Sequence, residues 1–279
     1  MRVSTTKRLV ALLIACVLLL GLTGCAEEVG DYRVLKTVGE ERFSIGYRVG
    51  DNVALYVDAA LRTLAAEGTV HKLAMQWLGT DNTAMEADEN ALDSLGKIPK
   101  RTLIVGVSES CFPLSYADGD GFSGFDIALA KAVCKRLGWK VKFQAIARSD
   151  IYIQLTSGNV DCIWGGMPMD DINLDDRGNE KPMSEQLAVS EPYLRNEIIL
   201  ITRADSDFGS MAKLKGATLM MDSGAQYMDA LTESGLQDRF GQIQRVNGGA
   251  QQCFEALRTG QCAAILTDSV ALSYYTNVN

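Results

Sequence analysis

Between Leu103 and Gly166, short apolar runs alternate with amphipathic stretches in an order that predicts strand, helix, strand, helix, strand. Leu103 to Val107 is an apolar run ended by the polar loop Ser108 to Pro113, the pattern of a buried strand. From Phe125 the apolar positions Ile127, Leu129, Ala130, Val133 and Leu137 recur at three and four residues, which predicts a helix with Gly138 at its cap. Val141 to Phe143 then reads as a strand, Ile151 to Leu155 as a helix, and Val160 to Trp164 as a third strand ending in Gly165-Gly166. This βαβαβ order implies a parallel sheet with ligand access at the carboxyl ends of its strands.

The flanks carry further elements. Upstream, Arg33 to Val38 and Phe43 to Tyr47 read as strands, and Asp51 to Ala66 as an amphipathic helix capped by Asp51 and stopped by Gly68. A shorter helix, Thr69 to Leu78, ends at Gly79. Thr80 to Lys100, rich in Asp, Glu, Asn and Ala, is the linker candidate, expected to be partly helical around Ala84 to Leu95. Downstream the pattern predicts strands at Ile198 to Thr202, Thr218 to Met221, Gln244 to Val246 and Ala263 to Leu266. Helices are expected at Gln226 to Ser234 and Ala250 to Arg258.

Composition narrows the class. With 279 residues, 47% of them apolar, and only five prolines, the chain can bury a large core and disorder is excluded. Arg2, Lys7 and Arg8 precede an apolar run from Leu9 to Leu22, too short and too N-terminal for a membrane span, so residues 1–24 read as a signal peptide. The run ends Leu22-Thr-Gly-Cys25, which resembles the lipobox of bacterial lipoproteins. That resemblance makes Cys25 the lipidated first residue of the mature chain, with residues 25–30 as a tether. Loss of residues 1–24 removes three positive charges and takes the formal charge from −8 to −11. An acidic chain with no basic cluster argues against nucleic acid and anionic lipid as partners. Cys111, Cys134, Cys162, Cys253 and Cys262 remain, an odd number in no metal-binding spacing, and whether Cys253 and Cys262 are bridged is open. The single histidine, His71, is expected on a solvated helix face, and no cofactor or metal is implied.

The loop with Pro113, Gly124-Phe-Asp-Ile-Ala-Leu129, Leu155-Thr-Ser-Gly-Asn-Val-Asp161 and Ser190-Glu-Pro-Tyr193 carry a family resemblance. It continues through Leu214-Lys-Gly216, Met221-Asp-Ser-Gly224, Ala256-Leu-Arg-Thr-Gly260 and Ala264-Ile-Leu-Thr-Asp-Ser269. These segments resemble the extracytoplasmic solute-binding proteins, family 3, that serve amino-acid ABC importers. The resemblance implies an α/β, two-lobed periplasmic-binding-protein-like fold (type II), each lobe a mostly parallel sheet flanked by helices, joined by two hinge strands. Those crossings fall near Leu194 to Thr202 and Ala264 to Asp268. The family's C-terminal segments resemble residues at the other end of this chain: Gly46-Tyr-Arg-Val-Gly-Asp51, Val53 to Glu67, and Gly68-Thr69 with Gln76-Trp-Leu-Gly79. The chain therefore reads as a circular permutant, the alternative being a truncated gene preceded by a relic of a neighbouring copy. Residues 31–78 form the permuted part of lobe 1, 79–100 a linker, 101–195 the main part of lobe 1, 196–267 lobe 2, and 268–279 the return to lobe 1.

By the same resemblance, Asp268 takes a ligand ammonium, the alternative being a cap for the following helix. Ser223, Gly224, Ala225 and Gln226 offer backbone N–H groups to a carboxylate. Phe112 and Arg148 stand at or beside the family's aromatic positions. Trp164 is split between cleft wall and core, and Gly166 and Met167 follow it at the strand end. The family's Thr and carboxylate-gripping Arg are replaced by Pro168 and Asn173, leaving Arg148 or, from an acidic insertion, Arg177 to bind an anion. The implied function is a lipid-anchored extracytoplasmic protein, expected as a monomer, that captures a small polar solute, an amino acid or a relative, and delivers it to an ABC permease. The alternatives are an orphan solute-sensing lipoprotein and a cyclohexadienyl-dehydratase-like enzyme, for which Glu109 is the one candidate acid.

Overall fold

The computed structural model describes residues 26–166, 172–175, 177–223 and 227–278, apart from the side chains of 148 and 172–174. The chain opens with β1 (Glu27–Val29), β2 (Tyr32–Phe43), β3 (Gly46–Tyr47), α1 (Val53–Ala66) and α2 (Thr69–Leu78). β4 (Thr102–Val107) leads through a three-stranded meander, β5 (Ser110–Cys111), β6 (Ser115–Asp118) and β7 (Gly121–Ser123), into α3 (Phe125–Leu137). β8 (Lys140–Ala145), α4 (Ile151–Thr156), β9 (Cys162–Ile163), the hairpin β10 (Ile172–Leu174) and β11 (Glu180–Pro182), α5 (Met183–Gln186) and β12 (Ala188–Val189) follow. The remainder is β13 (Leu194–Arg203), β14 (Thr218–Asp222), α6 (Tyr227–Glu233), β15 (Gln242–Val246), α7 (Gly249–Thr259), β16 (Ala264–Asp268) and α8 (Ser269–Asn277).

Two sheets organise these elements. One has the order β12-β3-β9-β4-β8, the other β1-β2-β13-β16-β14-β15. In each, one strand has parallel partners on both sides: β4 between β8 and β9, and β14 between β15 and β16. Both lobes thus repeat one βαβαβ unit in which the first strand is central and the next two flank it. That arrangement places a topological switch point at the carboxyl end of the central strand. The expected helices at 51–66, 69–78 and from Phe125 form with their apolar faces inward: Val53, Val57, Leu61 and Leu64 of α1 join Phe125, Leu129 and Val133 of α3 in the first core. α1 starts where Asp51 accepts the Val53 N–H at 3.0 Å, and α3 ends at Gly138 in the left-handed region, φ +69°. Two further clusters cover the opposite faces of the six-stranded sheet.

Three expectations are corrected. The strands at Arg33 to Val38 and Phe43 to Tyr47 are instead one twelve-residue strand, β2, followed by the short β3. β2 lies antiparallel to β13 from Leu194–Phe43 to Arg203–Tyr32, and register shifts at Ile198/Ile199 and Leu200/Ile201 keep it in step as the strands twist. Residues 32–38, expected in lobe 1, therefore belong to the sheet of lobe 2, and β2 is a third crossing strand beside β13 and β16. Helix around Ala84 to Leu95 is absent but for a single turn at Asp93–Leu95. The linker's backbone groups bond elsewhere: Thr83 bridges Leu194, Ala84 N–H donates to Tyr193 O, and Arg195 N–H to Asn82 O.

A run of aromatic rings joins the lobes. Phe254 of α7 stacks on Tyr275 of α8 at 4.1 Å and meets Tyr32 of β2 edge-on at 5.2 Å. Phe112 and Tyr116 of the first lobe continue the run, with Phe112 4.7 Å from Tyr274. Phe254→Ala is expected to cost about 3–4 kcal/mol, since a buried ring is replaced by a cavity bordered by two other rings. Urea unfolding followed by far-UV circular dichroism measures it.

Candidate functional site

The carboxyl ends of β4, β9, β14 and β16 converge where the lobes meet. The closest approach is backbone on backbone: a Cβ on Gly249, at the start of α7, would lie 2.9 Å from Ser110 O in the first lobe. Gly249 also has φ +66°, so glycine is required there by both space and conformation.

Asp268 ends β16 and is 8% exposed. It occupies the N-cap position of α8 but makes no side-chain capping bond. Its carboxylate turns away from that helix, accepting from Asn196 Nδ2 at 2.8 Å and from the Tyr227 hydroxyl at 2.9 Å. Burial raises its pKa, the Asn196 and Tyr227 bonds oppose that rise, and Asp222 nearby adds to it. Burial, then Asp268, push the Tyr227 hydroxyl well up. Asn196 uses its whole amide. Its second N–H donates to Glu41 Oε2 at 2.8 Å, while Oδ1 accepts from Ser269 Oγ at 3.1 Å and Val270 N–H at 3.4 Å. Glu41, Asn196 and Asp268 sit on β2, β13 and β16, so one side chain ties all three crossing strands. Asn196→Ala would leave two carboxylates and the α8 start without their shared partner, and a loss of about 3 kcal/mol is expected from chemical denaturation.

On the first-lobe side, Gly166 N–H donates to Asp126 Oδ2 at 2.8 Å, and Gly166 O accepts from the Cys111 thiol at 3.3 Å. Gly166 has φ +63° and lies so close to Cys111 that a Cβ would collide with the sulfur. Cys111 acts electrostatically on both Tyr193 of the first lobe and Tyr227 of the second, which marks the convergence of the two halves. Asp126 is 1% exposed; burial pushes its pKa up to about 7 against the bonds from Tyr193 and Gly166.

The other expected site residues fall as follows. Trp164, just beyond the end of β9, is core, 1% exposed and edge-on to Tyr193 at 6.0 Å. Phe112 is buried against Tyr116, Tyr274 and Tyr275 rather than open to the cleft. Ser223 bonds through Oγ to Asn247, and its carbonyl accepts from Arg245 at 2.9 Å. Arg148 opens the turn Arg148–Asp150, but its side chain, like Met167, Pro168, Gly224, Ala225, Gln226 and Cys25, lies outside the described residues. Asn173 falls in β10, its side chain likewise undescribed. Arg177 is exposed in a loop organised by Asp175, which accepts the Arg177 and Asn179 N–H groups at 2.8 Å each. Glu109 is exposed. Cys253 and Cys262 are free thiols, burial pushing them to about 12 and about 11. His71 is exposed but engaged, its Nδ1 2.7 Å from Asp81 Oδ2. The sequence reading missed Glu41, Asn196, Tyr227 and Asp126. Tyr227 adjoins the predicted Ser223 to Gln226 loop, and Asp126 lies inside a quoted motif, so both had a local signal; Glu41 and Asn196 had none.

This architecture defines a type II periplasmic-binding fold. Residues 103–243, half of the chain, match the model of the bacterial extracellular solute-binding proteins, family 3, and the chain belongs to that family. It is 29% identical over 126 residues to the arginine-binding extracellular protein ArtP of Bacillus subtilis, covering 45% of this chain and 46% of ArtP. It is 26% identical over 176 residues to the ABC transporter arginine-binding protein 1 of Escherichia coli, covering 62% and 66%. Among solved structures, an ancestral cationic amino acid solute binding protein aligns with a TM-score of 0.51 at 25% identity, covering 63% of this chain and 73% of that one. The chain thus spans about half of one curated relative and about two thirds of the other. Among the described residues no helix is long and apolar enough to cross a membrane.

The raised Asp126 pKa has a definite sign. The carboxyl titrates near 3.8 when unfolded and at about 7 when folded. The folded state therefore holds the extra proton between those values, and its stabilisation is complete below pH 3.8 and lost as pH rises through 7. In Asp126→Asn this dependence should vanish, so stability relative to the parent should rise from pH 4 to pH 8, read from urea midpoints at both.

Proposed function

We propose that this chain is the binding component of an ABC importer, tethered outside the cell membrane by lipid on Cys25, and that it closes its lobes on an amino acid or a related small polar solute. The observation that carries the reading is Asp268: at an N-cap position, its carboxylate leaves its own helix for the junction of the crossing strands. There it stands between an amide and a phenol that orient it. A carboxylate with two fixed donors retains acceptor capacity for a ligand ammonium, and a charge-assisted bond is the stronger kind. Curated relatives named for arginine support the amino-acid class. Ligand binding would shift an open-closed equilibrium toward the closed form that a permease recognises.

The chain order fits a circular permutation. Residues 46–78 pack as lobe 1 through β3 on β9 and through α1 and α2 on α3, although they precede the rest of that lobe in sequence. β2 then serves as the strand that carries the relocated segment from one lobe to the other.

A thermal-shift screen of the purified chain against free amino acids, polyamines and dicarboxylates tests the reading. A true ligand at about 100 times its dissociation constant adds about 2.7 kcal/mol, a shift that Asp268→Ala should abolish. A cooperative transition that no compound moves would remove the amino-acid reading and favour a sensor without a transported solute.

A further inference from the structure

The register of β2 and β13 sets like charges side by side. Arg195 stands directly opposite Arg42, and two residues along, Glu197 stands directly opposite Glu40. Side chains alternate along a strand, so these four share one face, and Glu41 and Asn196 between them take the other. Directly opposed Cβ atoms lie about 5 Å apart, and like charges there oppose pairing. All four residues are exposed. Among the described residues, neither guanidinium has a hydrogen-bond or ion-pair partner; nor does the Glu40 carboxylate, and that of Glu197 receives only the Thr37 hydroxyl at 3.4 Å. Nearby acids are engaged elsewhere: Glu41 by Asn196, Asp81 by His71 and Thr83, and Glu86 by Arg62.

All four charges line one cavity of about 680 Å³, walled also by Glu41 and Asn196 between them, by residues 81–83 and by Ser269. That volume lies in the range of small-molecule sites. We propose that this cavity binds a small zwitterion, its carboxylate between Arg42 and Arg195 and its ammonium between Glu40 and Glu197. A simple anion would relieve the arginine pair but meet Glu40, Glu197 and Asp81; a simple amine would meet the two arginines. Only a ligand carrying both charges offsets both repulsions. Two residues along a strand span about 6.8 Å, which suits charges separated by a few methylenes, as in an ω-amino acid. Since exposed side chains hold it, the dissociation constant should be on the order of millimolar. The ligand would link two of the three crossing strands at a point separate from Asp268.

Titration calorimetry of the full chain with 4-aminobutanoate, butanoate and butylamine tests this. The zwitterion should bind at least about tenfold more tightly than either singly charged analogue. Arg42→Gln/Arg195→Gln and Glu40→Gln/Glu197→Gln should each weaken it about tenfold or more, and Asp268→Asn should leave it unchanged. Both double variants replace exposed, mutually repelling groups, so circular dichroism should match the parent. No binding at roughly 20 mM, equal binding of butanoate, or full affinity in either double variant would overturn the proposal. Loss confined to Asp268→Asn would also overturn it, by assigning the heat to the interlobe cleft.

Discussion

The amide of Asn196 is the interaction on which the arrangement of the two lobes rests. A buried carboxylate is costly unless it is hydrogen-bonded, and two carboxylates on the strands either side of β13 also repel. Asn196 answers both with one NH₂ group, donating to Glu41 on one side and Asp268 on the other, while its carbonyl receives the start of α8. An aspartate at this position could donate nothing, and an alanine would leave every one of these groups alone. Three crossing strands and the last helix are thereby fixed to one another by a single side chain. Tyr227 extends the network into lobe 2 through Asp268.

Around that polar junction the packing is apolar and aromatic. Tyr32, Phe254, Tyr275, Tyr274, Phe112 and Tyr116 form a run of ring contacts from the second lobe through α8 to the first. Phe112 is buried within that run. On the cleft side, Gly249 and Ser110 bring backbone to backbone, and Gly166 admits Cys111 because it has no side chain. The cleft is shaped by small residues that permit close approach.

Elements with strong periodicity were legible in the sequence. α1, α2, α3 and β4 follow from the spacing of Val53, Leu61, Phe125, Leu129 and Val105, because burial of one face is a local property of the pattern. β2 was not legible as one strand: Gly39 and the charged Glu40, Glu41 and Arg42 interrupt its apolar run, and only pairing along β13 makes them extended. The partial helix expected around Ala84 to Leu95 is confined to the turn Asp93–Leu95 for a related reason. Its residues have adequate propensity, but the neighbouring ends of β13 supply hydrogen-bond partners to Thr83 and Ala84 first. The burial of Trp164 and Phe112 was not legible, because it depends on rings from distant parts of the chain packing against them.

The sequence by itself determined the two βαβαβ units, the family and the position of Asp268 at the end of its strand, since each depends on residue types at short spacing. Tertiary structure alone decided that β2 crosses between the lobes, that Asn196 holds Glu41 from 155 residues away and Asp268 from 72, and that Arg42 meets Arg195. Those facts depend on register between strands distant in sequence. Register is set by the twist and bulges of the assembled sheet, which no local pattern encodes.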